Sequence, residues 1–265
     1  MRLVPIASGS SGNCIYVGSN NTHLLVDAGI SAKRIIMGIN ELEIDTDDID
    51  GLLITHEHVD HIGGLGVICR KCNIPVYATT DTINAIKKYD KLGCVDEDLF
   101  HTISHDTSFS IKDIDIYPIK TSHDSADSVA YRFSNSNKSV AIATDMGTYN
   151  DYIADNLKNL DAILLEANHD VRMLQVGPYP YWLKQRILSD VGHLSNETSG
   201  RLLCEILHDN LQKVILGHLS KENNLPQLAY ETVRVEIEMG DNCYKANDFD
   251  ISVAYRDRLS EIVNV

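Results

Sequence analysis

The chain has 265 residues, of which 43% are hydrophobic and 23% are charged, and its formal net charge is −15. This composition is typical of a globular protein and excludes a disordered chain. No apolar run approaches the roughly 20 residues that span a bilayer, and the N-terminus lacks the apolar segment of a secretion signal. The acidic balance argues against indiscriminate nucleic-acid binding. We therefore expect a cytoplasmic protein, folded as a single domain over residues 1–265, that has no membrane partner.

Short β-prone runs and amphipathic runs alternate along the chain. In chain order, the runs that predict strands are residues 3–6, 15–17, 23–26, 51–54, 114–117, 140–143, 162–165 and 214–216. Apolar spacing of about 3.6 predicts helices over residues 31–39, 80–89, 149–157, 180–188, 195–207 and 226–239. Because consecutive strands open the chain and helices follow, we expect an α/β sandwich with helices outside the sheets.

The six cysteines predict reduced thiols, because they are few and scattered through apolar segments. Cys69 and Cys72 form a C-x-x-C pair, but no second pair stands at a spacing that would complete a structural zinc site. We therefore expect both to be ordinary thiols on a helix.

Polar residues follow several of the predicted strands. Five strands lead directly into a residue that is acidic or can bind a metal: His56, His123, Asp145, Glu166 and His218. Functional groups gathered at one end of several strands suit a site in the loops above a rigid sheet.

The segment of residues 55–61 reads Thr-His-Glu-His-Val-Asp-His and offers three imidazoles and the carboxylate of Asp60, beside that of Glu57. On an extended backbone His56 and His58 can project to one side and hold one ion, whereas Asp60 and His61 can turn toward a second. Imidazole and carboxylate suit zinc, manganese or iron. A histidine-rich surface loop is the alternative, and the matching residues after four distant strands disfavour it.

The pattern His56-x-His58-x-Asp60-His61 resembles the signature of the metallo-β-lactamase superfamily, and the match continues in the family's order. This resemblance implies a four-layered αββα sandwich and two divalent ions per chain, Zn²⁺ or Mn²⁺. It implies the following ligands: His56, His58 and His123 on one ion; Asp60, His61 and His218 on the other; and Asp145 bridging both. It also implies that Asp27 orients a ligand without binding metal. Two such ions can activate a water and clamp an ester or phosphodiester.

Two residues narrow the choice within the superfamily. Asp145 disfavours the true zinc β-lactamases, which commonly carry cysteine there, and His58 disfavours the flavodiiron oxygen reductases, which carry glutamate. Phosphodiesterases and nucleases remain, beside glyoxalase II-like thioesterases.

Three features favour the nuclease class. Residues 8–13, rich in glycine and serine, can cradle an anion, although a turn without a ligand is an equal alternative. Residues 179–187 can hold phosphates through Lys184 and Arg186 and stack aromatics on bases; an amphipathic helix with Trp182 in the core is the competing interpretation. Glu166 and His193 resemble a pair in ribonuclease Z-like enzymes, in which the glutamate orients the histidine and the histidine stabilises the phosphate or protonates the leaving oxygen.

We therefore expect catalytic roles for His193, Glu166 and the ligand Asp60. The side chains expected to contact substrate are Ser10, Ser11, Asn13, Lys184, Arg186, Ser195 and Ser220. The acidic net charge predicts a narrow basic path around Lys184 and Arg186, extended by Lys33 and Arg34, with binding that weakens as salt rises.

The glycine- and serine-rich segment at 8–13, Gly-His-Leu-Ser-Asn at 192–196 and Gly-His-Leu-Ser at 217–220 resemble the YycJ/WalJ-type branch of the superfamily. That resemblance implies a 5′→3′ exonuclease on duplex DNA ends, with links to DNA repair. The alternatives are a thioesterase or small-molecule phosphodiesterase or ester hydrolase, and a metal-stabilised nucleic-acid-binding module without activity.

Overall fold

Two seven-stranded β-sheets form the frame of the computed structural model, which describes Met1–Val265. The first sheet contains β1 (Arg2–Ala7), β2 (Cys14–Gly18), β3 (His23–Val26), β4 (Gly51–Leu53), β5 (Val76–Thr79), β6 (Phe100–Ile103) and β14 (Val263–Asn264). The second contains β7 (Phe109–Ile111), β8 (Ile114–Lys120), β9 (Val129–Asn135), β10 (Lys138–Ala143), β11 (Ala162–Glu166), β12 (Lys213–Gly217) and β13 (Asp250–Val253). The strand orders are β14-β1-β2-β3-β4-β5-β6 and β13-β12-β11-β10-β9-β8-β7.

Most of the helices pack on the outer faces of the two sheets. They are α1 (Ala32–Glu41), α2 (Val59–Ile62), α3 (Leu65–Cys72), α4 (Thr80–Lys87), α5 (Asp151–Asn156), α6 (Val171–Val176), α7 (Tyr181–Ile187), α8 (Asn196–Ile206) and α9 (Pro226–Met239). None of them combines the length and the apolar character needed to cross a membrane.

Three clusters of buried apolar side chains hold the two sheets and the helices together in layers. In β3, Leu24 and Val26 face an inner cluster shared by both sheets, while Leu25 faces a second cluster with α1 and α3. In β11, Leu164 faces the same inner cluster, and Leu165 faces a third cluster with α5, α8 and α9. Alternate side chains of a strand point to opposite faces, so both faces of each sheet are buried. The expected four-layered αββα sandwich is confirmed.

Parallel strands bring the functional residues to one edge. β3 pairs with β4 in parallel, and β10, β11 and β12 pair in parallel with Ala143 beside Leu165 and Leu165 beside Leu216. The residues that follow these strands therefore meet above the carboxyl ends of both sheets.

The predicted strands are all present, and each predicted helix is present with bounds shifted by two residues at most. Cys69 and Cys72 lie on α3 as reduced thiols, as expected. The interpretation of residues 179–187 as an amphipathic helix with Trp182 in the core is wrong for Trp182, because this residue is 67% exposed. The inner face of α7 is formed by Ile187 instead.

Candidate metal centre

The local backbone explains why residues 55–61 present their ligands in two groups. After β4 the chain bends at Thr55 and is extended at His58, which precedes α2 with φ −64° and ψ 149°. Residues two apart on an extended chain share a face, so His56 and His58 point to the same side. Asp60 and His61 belong to α2, and the start of that helix turns them toward a different point.

Three imidazoles converge on the first point. His58 Nδ1 lies 3.0 Å from His56 Nε2 and 3.2 Å from His123 Nε2. The opposite nitrogen of His123, Nδ1, donates to the Gly192 carbonyl at 2.9 Å, and a carbonyl can only accept. The tautomer of His123 is therefore fixed with a lone pair on Nε2, which is the form that binds a metal. His56 Nδ1 lies 3.0 Å from the Thr55 hydroxyl.

The second point lies between a carboxylate and two imidazoles. Asp60 Oδ2 is 3.6 Å from His61 Nε2 and 3.5 Å from His218 Nε2. His61 Nδ1 contacts Asp27 Oδ2 at 2.7 Å, so a proton on Nδ1 leaves Nε2 directed at the cluster. Asp27 also accepts from the backbone N–H of Thr55 at 2.9 Å. Asp27 therefore orients His61 and does not reach the convergence point itself.

Asp145 lies between the two groups. Its Oδ2 is 2.8 Å from His218 Nδ1 and 3.2 Å from His61 Nε2, and its Oδ1 is 3.8 Å from His123 Nε2. Oδ1 is buried without any hydrogen-bond partner. A buried acceptor without a donor is costly, and a cation at this position would satisfy it. The donor set therefore fits divalent metal ions.

The backbone at three strand ends is strained. Asp27, Asp145 and His218 follow β3, β10 and β12, with φ of 62°, 59° and 54°. Residues other than glycine rarely adopt this left-handed region, and such strain persists where the surrounding structure imposes it, often at functional sites. The surrounding structure thus keeps these three residues, whose side chains point into the cluster, in an unfavourable backbone conformation.

Burial and opposite charges compete at the cluster. Burial and the neighbouring His61 hold the pKa of His56 well below its usual range. Burial also disfavours charge on His61, but the surrounding carboxylates, led by Asp145, outweigh it and hold that pKa well above the usual range. Burial is likewise outweighed at His218, where Asp145 raises the pKa to about 10. The carboxylates thus create a negative potential that attracts cations to this point.

Glu166 and His193 form a pair beside the cluster. Glu166 Oε1 accepts from His193 Nδ1 at 2.8 Å, and Oε2 accepts from the backbone N–H of Met146 at 2.9 Å and of Leu194 at 3.2 Å. Glu166 is completely buried, whereas the His193 side chain is 14% exposed. The carboxylate fixes the Nδ1 proton of His193, so Nε2 is the atom available for chemistry.

The cluster opens into a cavity of about 200 Å³. Its walls contain ligand candidates and expected substrate residues together with side chains that the sequence did not indicate: Ser10, His58, Asp60, Asp145, Asn168, Tyr179, Leu183, Arg186, Ile187, His193, His218 and Ser220. Ser10, Arg186 and Ser220 are thus placed where substrate contact was expected.

The structure gives three expected substrate residues other contacts. Asn13 is buried; its Oδ1 accepts from the Gly9 N–H at 2.9 Å and its Nδ2 lies 3.2 Å from His61 Nε2. Ser195 is buried and accepts from the Thr198 N–H as the N-cap of α8. Lys184 Nζ donates to the Gln175 carbonyl. None of the three lines the cavity, because each holds a loop or a helix end.

The expected basic path is interrupted. The Arg186 guanidinium forms a bidentate ion pair with Asp124, which follows His123 directly. Arg34 donates to the Arg256 carbonyl at 3.4 Å. Sequence reasoning missed Asp124, although its position beside a ligand candidate was a usable signal. It also missed Asn168, which donates to the His218 carbonyl at 2.9 Å.

Comparison with known proteins identifies the family. Residues 22–218 match the family model described as the β-lactamase superfamily domain. Exodeoxyribonuclease WalJ of Streptococcus pneumoniae is 43% identical over 236 residues, which cover 89% of this chain and 88% of that protein. Exodeoxyribonuclease YycJ of Bacillus anthracis is 40% identical over 233 residues, which cover 88% of each protein.

A solved structure shares the fold. Zinc-bound PqqB from Methylobacterium extorquens has a TM-score of 0.73 to this chain, at 16% identity and with 100% of both chains covered. The family model, the two relatives and the His/Asp cluster at the strand ends agree with one another. The chain therefore belongs to the β-lactamase superfamily, in its WalJ/YycJ-type branch.

Proposed function

We propose that this chain is a 5′→3′ exodeoxyribonuclease that acts on the ends of duplex DNA with two divalent ions, Zn²⁺ or Mn²⁺. The observation that carries the proposal is a single cavity wall in which His193, held by Glu166, stands beside the ligand candidates His58, Asp60 and Asp145. The relatives that match most of the chain are named exodeoxyribonucleases, which supports a nucleic-acid substrate.

The residues of the cluster suit two ions. His56, His58 and His123 would hold one, Asp60, His61 and His218 the other, and Asp145 would contact both. When bound, such ions activate water and stabilise the charge that develops on a phosphodiester. Asp27 and the Gly192 carbonyl orient two of the ligand rings, and this orientation is required for metal affinity.

His193 supplies a proton to the leaving oxygen. Because Glu166 accepts the proton on Nδ1, the proton that is transferred comes from Nε2. The His193 side chain is 14% exposed and lies in the cavity wall, so a substrate phosphate can reach its ring.

A comparison of substrates tests the reaction class. Protein reloaded with Mn²⁺ or Zn²⁺ is given duplex DNA, bis-p-nitrophenyl phosphate and a glutathione thioester. We expect cleavage of both phosphodiesters and no thioester hydrolysis. Thioester cleavage without DNA cleavage would favour the ester hydrolase, and tight metal binding without any cleavage would favour the non-enzymatic binding module.

A further inference from the structure

The Arg256 guanidinium lies beside two loops whose neighbouring residues line the metal cavity, although Arg256 itself is not part of that lining. Its Nη2 donates to the Leu219 carbonyl at 2.7 Å, and its Nη1 lies 3.4 Å from the Ser11 hydroxyl. Leu219 stands between the ligand candidate His218 and the cavity residue Ser220, and Ser11 follows the cavity residue Ser10. The guanidinium therefore bridges two loops that end in the cavity wall.

This cation has no acidic partner. Both hydrogen bonds of the Arg256 side chain go to neutral oxygens, whereas the Arg186 guanidinium is neutralised by Asp124. Burial lowers the pKa of Arg256, against the attraction of Asp257, Tyr179 and Glu222. A half-buried charge without a counter-ion is costly, and an anion beside it would offset that cost.

The loop beneath the guanidinium is shaped to accept it. Gly9 adopts φ +151°, and a Cβ there would lie 2.7 Å from Arg256 Nη1. A side chain at position 9 would therefore displace the guanidinium from this contact. The backbone N–H of Ser11 makes no hydrogen bond, and the hydroxyls of Ser10 and Ser11 are exposed. The Ser11 N–H and the two hydroxyls are thus donors without an acceptor in the protein, on the loop that contacts the guanidinium.

We propose that Arg256, Ser10 and Ser11 form a phosphate subsite that binds a second phosphate of the substrate, beside the one that is cleaved. The inference rests on the proposed nuclease function. Arginine suits this role because its fork of N–H donors matches phosphate oxygens. The second phosphate is either the terminal 5′-phosphate of the strand or an internal phosphate of the backbone.

Kinetics of Arg256→Gln on duplexes with a 5′-phosphate and with a 5′-hydroxyl test the subsite. The matched control is Arg258→Gln, because Arg258 is exposed and stacks 3.9 Å from the Tyr255 ring. Loss of a charged hydrogen bond predicts a rise in KM of about ten- to hundredfold for Arg256→Gln, with a smaller change in kcat. The control keeps the wild-type KM. On bis-p-nitrophenyl phosphate, which has one phosphate, the loss for Arg256→Gln is smaller than on DNA.

Comparison of the 5′-phosphorylated duplex with the 5′-hydroxyl duplex shows which phosphate of the substrate the subsite binds. A rise in KM confined to the 5′-phosphorylated duplex assigns the subsite to the terminal phosphate, and an equal rise on both duplexes assigns it to an internal one. A wild-type KM on both duplexes would overturn the subsite. So would a parallel loss of kcat, metal content and thermal stability, since that result marks a purely structural contact.

Two further measurements cover the remaining outcomes. If Arg256→Gln does not fold, Arg256→Lys replaces it, and we expect an intermediate KM with unchanged metal content; a wild-type KM would refute the proposal. If the wild type cleaves neither duplex, the nuclease proposal fails. Fluorescence anisotropy then measures the affinity of Asp145→Ala for the same duplexes, with and without Arg256→Gln. Weaker binding with Arg256→Gln supports the subsite, and equal binding overturns it.

Discussion

Asp27→Asn tests how the fold prepares His61 for a metal. Asp27 is buried and accepts from His61 Nδ1 at 2.7 Å, from the Thr55 N–H at 2.9 Å and from the Thr55 hydroxyl. The substitution preserves size and shape. The single carbonyl oxygen of the asparagine side chain can still accept from the Thr55 N–H. The amide N–H group of that side chain then faces His61 Nδ1.

That change reverses the tautomer of His61. In the neutral ring, an N–H that donates to Nδ1 keeps the proton on Nε2, which is the nitrogen directed at Asp145 Oδ2, 3.2 Å away. A metal on Nε2 requires the ring proton to stay on Nδ1, where the wild-type carboxylate accepts it and the amide N–H of the variant cannot. Removing the partner of a ligand histidine typically weakens metal affinity about 10- to 100-fold, which corresponds to about 1.4–2.8 kcal/mol.

Competition with a chromophoric chelator measures the affinity for Zn²⁺ and Mn²⁺ directly. The control is Asp161→Asn, because Asp161 is also buried but precedes β11, at the end of the sheet away from the cluster. We expect weaker metal binding in Asp27→Asn and unchanged binding in the control. Wild-type affinity in Asp27→Asn, or an equal loss in both variants, would refute the reasoning.

Three other expectations concern the same centre. His193→Ala should lower kcat on DNA by about 10²- to 10⁴-fold, as expected for loss of a general acid, while metal content by atomic absorption stays unchanged; full activity would exclude the proton-transfer role. The pKa of His218 is raised to about 10, and that of His61 lies well above its usual range. In protein stripped of metal both rings are therefore charged at neutral pH, so metal binding must release about two protons per chain, and metal affinity should fall as pH falls. Calorimetry in buffers of different ionisation enthalpy counts the released protons, and a count of zero would contradict the expectation. Duplex cleavage at sub-saturating DNA should slow as salt rises, and insensitivity to salt would exclude the proposed phosphate contacts.

The ligand cluster was predictable from the sequence for a physical reason. Short continuous apolar runs mark buried strands, and parallel strands align their carboxyl ends. Asp145 and His218 follow such runs within two residues, on strands of one parallel set, so their shared edge follows from the strand pattern. His56 follows a strand of the other sheet, and only the family resemblance indicated that it meets them. The Glu166–His193 contact spans 27 residues, and only the family resemblance indicated it.

Features that depend on long-range packing were not predictable. Arg256 reaches Ser11 across 245 positions because β14 returns to pair with β1, and no local pattern encodes that return. The ion pair of Arg186 with Asp124 spans 62 positions. Sequence reasoning therefore treated Arg186 as a free cation and overlooked Arg256.

Digestion of duplex DNA labelled at the 5′ end tests the central claim most directly. Wild-type protein and Asp145→Ala are stripped of metal, reloaded with Mn²⁺ or Zn²⁺, and assayed after their metal content is measured. We expect stepwise release of nucleotides from the labelled 5′ ends by the wild type and none by the variant. Intact DNA with either metal, despite two bound ions per chain, would contradict this expectation.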